Sequence, residues 1–191
     1  MSIALEHVLV VAATGRELAA SGGWPTLCCG VGPVDAAAHT AAALVRHRPL
    51  AVVHVGIAGA RRASGLVAPQ LVVGTESIYC DLSVPEAFAP RRLATAAPLV
   101  AAACRALPSA VTGVIGTSGS VGHTSGCPVE AMEGFAVLRA CALAGIPAIE
   151  VRAISNAIED TDRALWRFDE AFAAIVAITP ALVHEVASCV S

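Results

Sequence analysis

The stretch Met132-Glu-Gly-Phe-Ala-Val-Leu-Arg-Ala-Cys-Ala-Leu-Ala-Gly-Ile-Pro-Ala-Ile-Glu-Val-Arg-Ala-Ile-Ser-Asn156 decides how the chain is read. Glu133 opens an apolar run that predicts a helix stopping at Gly145, since glycine is the usual residue just past a helix end. A buried strand then starts at Pro147, mostly apolar but for Glu150 and Arg152. It delivers Ser155 and Asn156 at its far end. One acid and one amide are thereby set at the same rim of a sheet. A ligand with a diol at one end and a heterocycle at the other, such as a nucleoside, suits that pair.

Outward from this stretch the same alternation continues. Val8 to Ala12 reads as a buried strand, and Gly30-Val-Gly-Pro33 opens a helix running to Arg46, with proline at its first position. Ala51 to Val55 is the next strand, ending in a Gly56-Ile-Ala-Gly59 turn, and Leu71 to Tyr79 another. Residues 81–92, with Pro85 and Pro90, read as a long loop. Leu93 to Leu107 is expected to be helical, with Pro98 in its first turns. Val111 to Gly116 is a strand followed by the Ser/Gly-rich run Thr117 to Gly126. The strand Ala148 to Ile154 and a helix from Phe168 to Ser188 complete the chain. Strands alternating with helices predict a single α/β domain over residues 1–191, its mixed, mainly parallel central sheet flanked by helices. In such sheets ligands sit beyond the carboxyl ends of the strands. Glu17, Gly56 to Gly59, Ser118 to Ser120 and Asn156 all fall at such ends.

Composition narrows the function classes. Of 191 residues 56% are hydrophobic and 14% charged, which excludes a disordered chain. All 12 basic residues are arginine, the formal net charge is -3, and no basic block exists. Nucleic-acid binding needs a phosphate-neutralising patch, so it is not expected. The pairs Arg61-Arg62 and Arg91-Arg92 read as solvated loop residues. Seven cysteines without C-x-x-C spacing fit a reduced, cytoplasmic setting. The six histidines show no metal-ligand spacing, so neither a metal nor a cofactor is expected. The apolar run from Ala171 to Val183 is interrupted by Pro180 and falls short of the ~18 residues of a membrane span. Glu6 and the lack of a basic leader argue against a targeting segment.

Three segments together resemble the purine nucleosidase branch of the nucleoside phosphorylase-like superfamily: Gly30-Val-Gly-Pro-Val-Asp-Ala-Ala-Ala38, Val55-Gly-Ile-Ala-Gly59, and Met132-Glu-Gly134 with Arg152-Ala-Ile-Ser-Asn156. Within that branch, Glu130-Ala-Met-Glu-Gly-Phe135 and Glu150-Val-Arg-Ala-Ile-Ser-Asn156 look most like the futalosine hydrolases. Those enzymes cleave hypoxanthine from futalosine, a nucleoside with a benzoate-containing tail, leaving dehypoxanthine futalosine, on a route to menaquinone. The resemblance implies a phosphorylase-like fold, an N-glycosyl hydrolase, and a homodimer or higher homo-oligomer.

The resemblance also implies roles. Glu17, in Thr14-Gly-Arg-Glu-Leu18, maps to the glutamate that activates water, although an acid in a first helical turn would stand there for dipole reasons alone. Glu133 maps to the acceptor of the ribose 2′- and 3′-hydroxyls, since a carboxylate engages two donors at once. Met132 would pack beneath the sugar. Gly56, Ala58 and Gly59 would let backbone approach the ribose, glycine removing the steric barrier. Ser155, Ser118 and Val121 would line the base site.

Asn156 is the diagnostic departure. Adenine-releasing relatives carry aspartate there, whereas an amide donates to the O6 of a 6-oxopurine and accepts from its protonated N7. Hypoxanthine is therefore the expected leaving base. The alternatives are a methylthioadenosine/S-adenosylhomocysteine or aminodeoxyfutalosine nucleosidase releasing adenine, and a nucleoside-binding protein with little turnover.

Phosphorylases of the superfamily place an arginine and a serine where His54 and Ile57 stand here, so water is the expected nucleophile. His54 itself reads as a satisfied core histidine, and Arg152 with Glu150 as a buried ion pair. Asp81 is a candidate for the distal pocket; Phe135 reads as core before an apolar wall of the site, and His123 as a solvated loop residue before one facing ligand. Between Gly116 and Glu130 the chain is shorter than its relatives, and Ser118 to Gly122 supply no aromatic face for a purine.

Overall fold

The computed structural model describes residues 5–122 and 126–190, so His123 lies outside the described residues. In chain order the elements are β1 (Val8–Ala12), β2 (Thr26–Cys28), α1 (Pro33–His47), β3 (Ala51–Ala60), β4 (Leu71–Tyr79), β5 (Arg92–Ala94), α2 (Ala97–Ala106), β6 (Val111–Thr117), β7 (Val129–Ala131), α3 (Gly134–Leu143), β8 (Ala148–Ala157) and α4 (Phe168–Val190). Their ends carry the expected signals. Pro33 follows Gly32 at the start of α1, and Gly145 adopts a left-handed φ of 70° just past α3.

The sheet is mixed and closes on itself. β3 pairs with β8, β8 with β4, β4 with β6, β6 with β7, and β7 returns to β3. β1 and β2 extend this ring from the first half of β3, and β5 hangs from β4. The expectation of a mainly parallel sheet is thus corrected. β3–β7, β4–β8 and β4–β5 run antiparallel, and the first two of these close the ring. Register shifts at Ala58/Gly59 in β3 and at Gly74/Glu76 in β4 supply the bending that closure needs. A closed ring leaves fewer strand edges open to pairing with other chains.

Two local expectations also change. Gly56-Ile-Ala-Gly59 is not a turn but the continuation of β3 to Ala60. The segment from Leu93 is not helical at first: Arg92–Ala94 pairs with β4, and α2 begins only at Ala97, with Pro98 in its first turn.

Helices cover the ring on two sides. α2 and α4 pack on Val53, Val55, Ile149 and Val151, while α1 and α3 pack on Leu9, Val11 and Val52. α4 is apolar enough and long enough, at 23 residues, to pass for a membrane span by composition. Ile175, Leu182, Val183 and Val186 recur at helical spacing and are fully buried against the sheet. Each such side chain contributes about 2 kcal/mol of transfer free energy. α4 is a core helix of this fold.

The strand alternation that sends Val53, Val55, Ile149 and Val151 toward α4 sends His54, Glu150 and Arg152 the opposite way. All three are buried, with Arg152 and Glu150 each 1% exposed. Charged groups therefore occupy part of the interior, directly behind the strand ends where the site lies.

Candidate active site

A cavity of about 420 Å³ opens where the carboxyl ends of β1, β3 and β8 meet the β7–α3 junction. That volume suits a nucleoside-sized ligand. Glu17, Ala58, Gly59, Val121, Met132, Glu133, Ser155 and Asn156 all line it. Eight of the ten candidate residues are thereby brought together. Gly56 and Ser118 stand behind the wall rather than on it.

Glu17 lies in the turn after β1, not in a helix, and is 3% exposed. Three donors fix its carboxylate. Oε2 accepts from the backbone N and the hydroxyl of Thr14, both at 2.8 Å, and Oε1 accepts from Ile57 N at 3.3 Å. A side chain on Gly56 would strike the Arg152 guanidinium and reach within 2.9 Å of Glu17 Oε1. Gly56 thus makes the space in which arginine and glutamate meet.

Glu133 occupies the residue just before α3, where the positive end of the helix favours a carboxylate. Its Oε1 accepts from Gly32 N at 3.0 Å, and its Oε2 lies 3.8 Å from Arg152 Nη2. Gly32 holds a φ of 92°, which only glycine adopts readily, so the Gly30-Val-Gly-Pro33 motif serves this carboxylate as well as α1. Burial raises the pKa of Glu133, partly opposed by Arg152 and the Gly32 N–H.

Arg152 is the hub behind both acids. Its Nε donates to Glu150 Oε1 at 2.7 Å, and its Nη2 forms a very short contact with His54 Nε2. Burial works against the arginine's charge, but Glu150 and Glu133 outweigh it and its pKa rises. His54 is held well below the ordinary imidazole range by burial, reinforced by Arg152. With Nδ1 at 3.0 Å from Val11 O, it is a buried neutral histidine wedged under the site.

Asn156 stands inside the β3–β8 ladder opposite Gly59. Its Oδ1 is 2.8 Å from Ser155 Oγ, which donates to it, and its Nδ2 donates to Ala157 O at 2.9 Å. A Cβ on Gly59 would sit 3.2 Å from that Nδ2, so the glycine gives the amide its room. Ser118 Oγ donates to Asp81 Oδ1 at 2.9 Å and accepts from Ser120 N at 3.2 Å. Asp81 also accepts from Gly119 N at 2.5 Å, so this pair shapes the loop that presents Ser120, Val121 and Gly122 to the cavity. Phe135 stacks on Tyr79, with ring centroids 5.4 Å apart, and belongs to the core. Among the described residues no cluster of three metal-ligating side chains exists.

Residues 8–188 match the family model of the Phosphorylase superfamily. The chain belongs to the phosphorylase superfamily. Among curated members, it is 38% identical to the futalosine hydrolase of Streptomyces coelicolor over 179 residues, spanning 80% of this chain and 75% of that one. It is 29% identical to the futalosine hydrolase of Thermus thermophilus, spanning 85% and 82% of the two chains. Among solved structures, the futalosine hydrolase of Helicobacter pylori superposes with a TM-score of 0.81 at 16% identity, covering 92% of this chain and 96% of that one. The methylthioadenosine/S-adenosylhomocysteine nucleosidase of Neisseria meningitidis gives 0.77 at 24% identity, covering 94% and 97%. At these identities the two structures share the superfamily fold with this chain; the side chains at the strand ends carry the chemistry.

The sequence missed one wall of this superfamily site. Arg163 and Trp166 line the cavity from the segment between β8 and α4, and Phe168 and Phe172 from the first turns of α4. The aromatic rings that line the cavity come from here, and none comes from residues 118–122. In a chain that is only 4% aromatic, three rings within seven residues were the available signal.

Proposed function

We propose that this chain hydrolyses the N-glycosidic bond of futalosine, releasing hypoxanthine and dehypoxanthine futalosine for menaquinone synthesis. The observation that carries the reading is the convergence of Glu17, Glu133 and Asn156 on one cavity. Glu133 holds the ribose through both hydroxyls, with Met132 beside it. Glu17, fixed by three donors, takes a proton from water as the oxygen attacks the anomeric carbon. The bond to the purine N9 breaks, its electron pair moves onto the base, and N7 takes up a proton from solvent water, so that the base leaves neutral. Asn156 meets the N7-protonated 6-oxopurine with its carbonyl at N7–H and its amide at O6. A site built for this pattern leaves buried groups unpaired with adenine, which is how it discriminates.

Water rather than phosphate is the nucleophile in this reading. The apolar side chain of Ile57 lines the cavity, and its backbone N–H is already given to Glu17. An adenine-releasing nucleosidase would share this fold, and Asn156 is the residue that argues against it. A binding protein with little turnover would have no use for Glu17 held at the strand end.

The test incubates the protein with futalosine, aminodeoxyfutalosine, methylthioadenosine and inosine, with and without inorganic phosphate, and identifies the base by chromatography. Hypoxanthine released fastest from futalosine at a phosphate-independent rate is expected. Adenine released faster from methylthioadenosine, strict phosphate dependence, or ligand binding without product would each overturn the proposal.

The setting belongs to the same reading. Seven free thiols fit the reducing cytoplasm. A homodimer is also part of it, because Val31 at the cavity and Val34 beside it are 57% and 78% exposed, and a second copy would cover them. Sedimentation as a monomer at working concentration would remove the dimer from the proposal.

A further inference from the structure

Resting on the futalosine reading, we propose that Arg163 and the adjoining aromatic strip form the subsite for an aryl carboxylate at the far end of the substrate's 5′ arm. With Asn156 assigned to the base and Glu133 to the sugar, the wall built by the β8–α4 connection and the first turns of α4 is left for that arm. Its chemistry fits. Trp166 and Phe168 lie with ring centroids 5.3 Å apart, and Phe168 stacks on Phe172 at 6.2 Å with planes 17° apart. The indole N–H of Trp166 already donates to Asp160 O at 2.9 Å, so the ring offers the cavity an apolar face. A benzoate ring stacks on such a strip.

The charge at its end is the deciding feature. Arg163 lies over Trp166, its Cζ 5.6 Å from the ring centroid. The neighbouring arginines are all committed: Arg16 to Asp169 at 2.7 Å, Arg61 to Glu130 at 3.1 Å, Arg62 to Asp160 and Arg167 to Glu170. Arg163 has no carboxylate partner among the described residues. Asp162, next along the chain, is turned back to cap its own turn by accepting from Ala164 N at 2.9 Å. A fork of guanidinium donors at the mouth of a cavity that also contains acids Glu17, Glu130 and Glu133 gives an anionic arm one attractive end. The arm's carboxylate is thereby directed away from the reacting centre.

The experiment compares kcat/KM for futalosine, its benzoate methyl ester and inosine in the wild type and in Arg163→Gln. The wild type is expected to prefer futalosine over the ester, and Arg163→Gln to reduce that preference about tenfold, the scale of a partly exposed charge-assisted contact. The wild-type preference should also weaken with added salt. Trp166→Leu should lower futalosine and ester together and keep their ratio. If futalosine is cleaved but Arg163→Gln leaves the futalosine-to-ester ratio intact, this subsite is wrong while the futalosine reading survives. If the wild type cleaves inosine and not futalosine, both fall.

Discussion

The carboxylate of Glu150 fills the space in which a side chain on residue 134 would begin. A Cβ built on Gly134 meets Glu150 Oε2, Oε1 and Cδ before anything else. Glu150 is 1% exposed, and its Oε2 has no hydrogen-bond partner among the described residues. The glycine that opens α3 is therefore what admits a buried counterion for Arg152. Gly134→Ala is expected to lower stability by about 1–3 kcal/mol through overpacking. Glu150→Ala should cost about 3–5 kcal/mol, because it strips the nearest carboxylate from a buried arginine. Since both act on one contact, the double variant should lose at least ~1 kcal/mol less than the sum. Denaturant melts of the four proteins measure this, and additive losses would contradict it.

In the proposed reading, Glu133 trades stability for binding. Its pKa is raised above the unfolded value by burial, so its contribution to folding is favourable at low pH and is lost as pH rises through the raised pKa. Glu133→Gln should accordingly melt at or above the wild-type temperature at pH 8. That advantage should fade as pH falls through the wild-type Glu133 pKa. Turnover should drop by about two orders of magnitude or more, because the amide no longer accepts from both ribose hydroxyls. In the wild type, kcat/KM should begin to fall on the acid side at a higher pH than an ordinary carboxylate would give. Melting curves and pH–rate profiles of both proteins decide the point.

Asn156→Asp is expected to move base preference toward adenine. A carboxyl there offers the reverse hydrogen-bond pattern to the one an amide offers, and Ser155 Oγ remains as its neighbour. The ratio of adenine released from aminodeoxyfutalosine to hypoxanthine released from futalosine should rise at least about tenfold. An unchanged ratio, with both substrates still bound, would remove Asn156 from base recognition.

Glu17→Gln keeps an oxygen for Thr14 N or Ile57 N but removes the proton acceptor. Single-turnover hydrolysis should slow by about 10²–10⁴, with substrate affinity by calorimetry within a few-fold of wild type. Equal losses in affinity and rate would make Glu17 a binding group instead.

Much of this was readable from sequence for a simple reason. Val8 to Ala12 is an unbroken apolar run, Ala51 to Val55 is broken only by His54 and Ala148 to Ile154 only by Glu150 and Arg152, and such stretches have few places to go but a covered strand. Their carboxyl ends then point to Glu17 and Asn156. The ring was not readable, because β7 is three residues long and the β4–β8 pairing joins segments that share no local signal. The glycines of Gly56-Ile-Ala-Gly59 were read as a turn because glycine usually punctuates. Here they stay in the strand and make room for Arg152 and Asn156, a long-range demand invisible along the chain. The aromatic wall was missed because Trp166, Phe168 and Phe172 look like the start of an ordinary core helix.

Asn156 and Gly59 face each other within a parallel ladder rather than at the tip of a loop. Fraying of a surface segment cannot take them apart. Amide protons at Ala58 and Asn156 should therefore exchange nearly as slowly as those of Val53, at the rate of whole-molecule opening. On warming, the protein should retain its catalytic rate until the cooperative melt itself, with no inactive folded state in between.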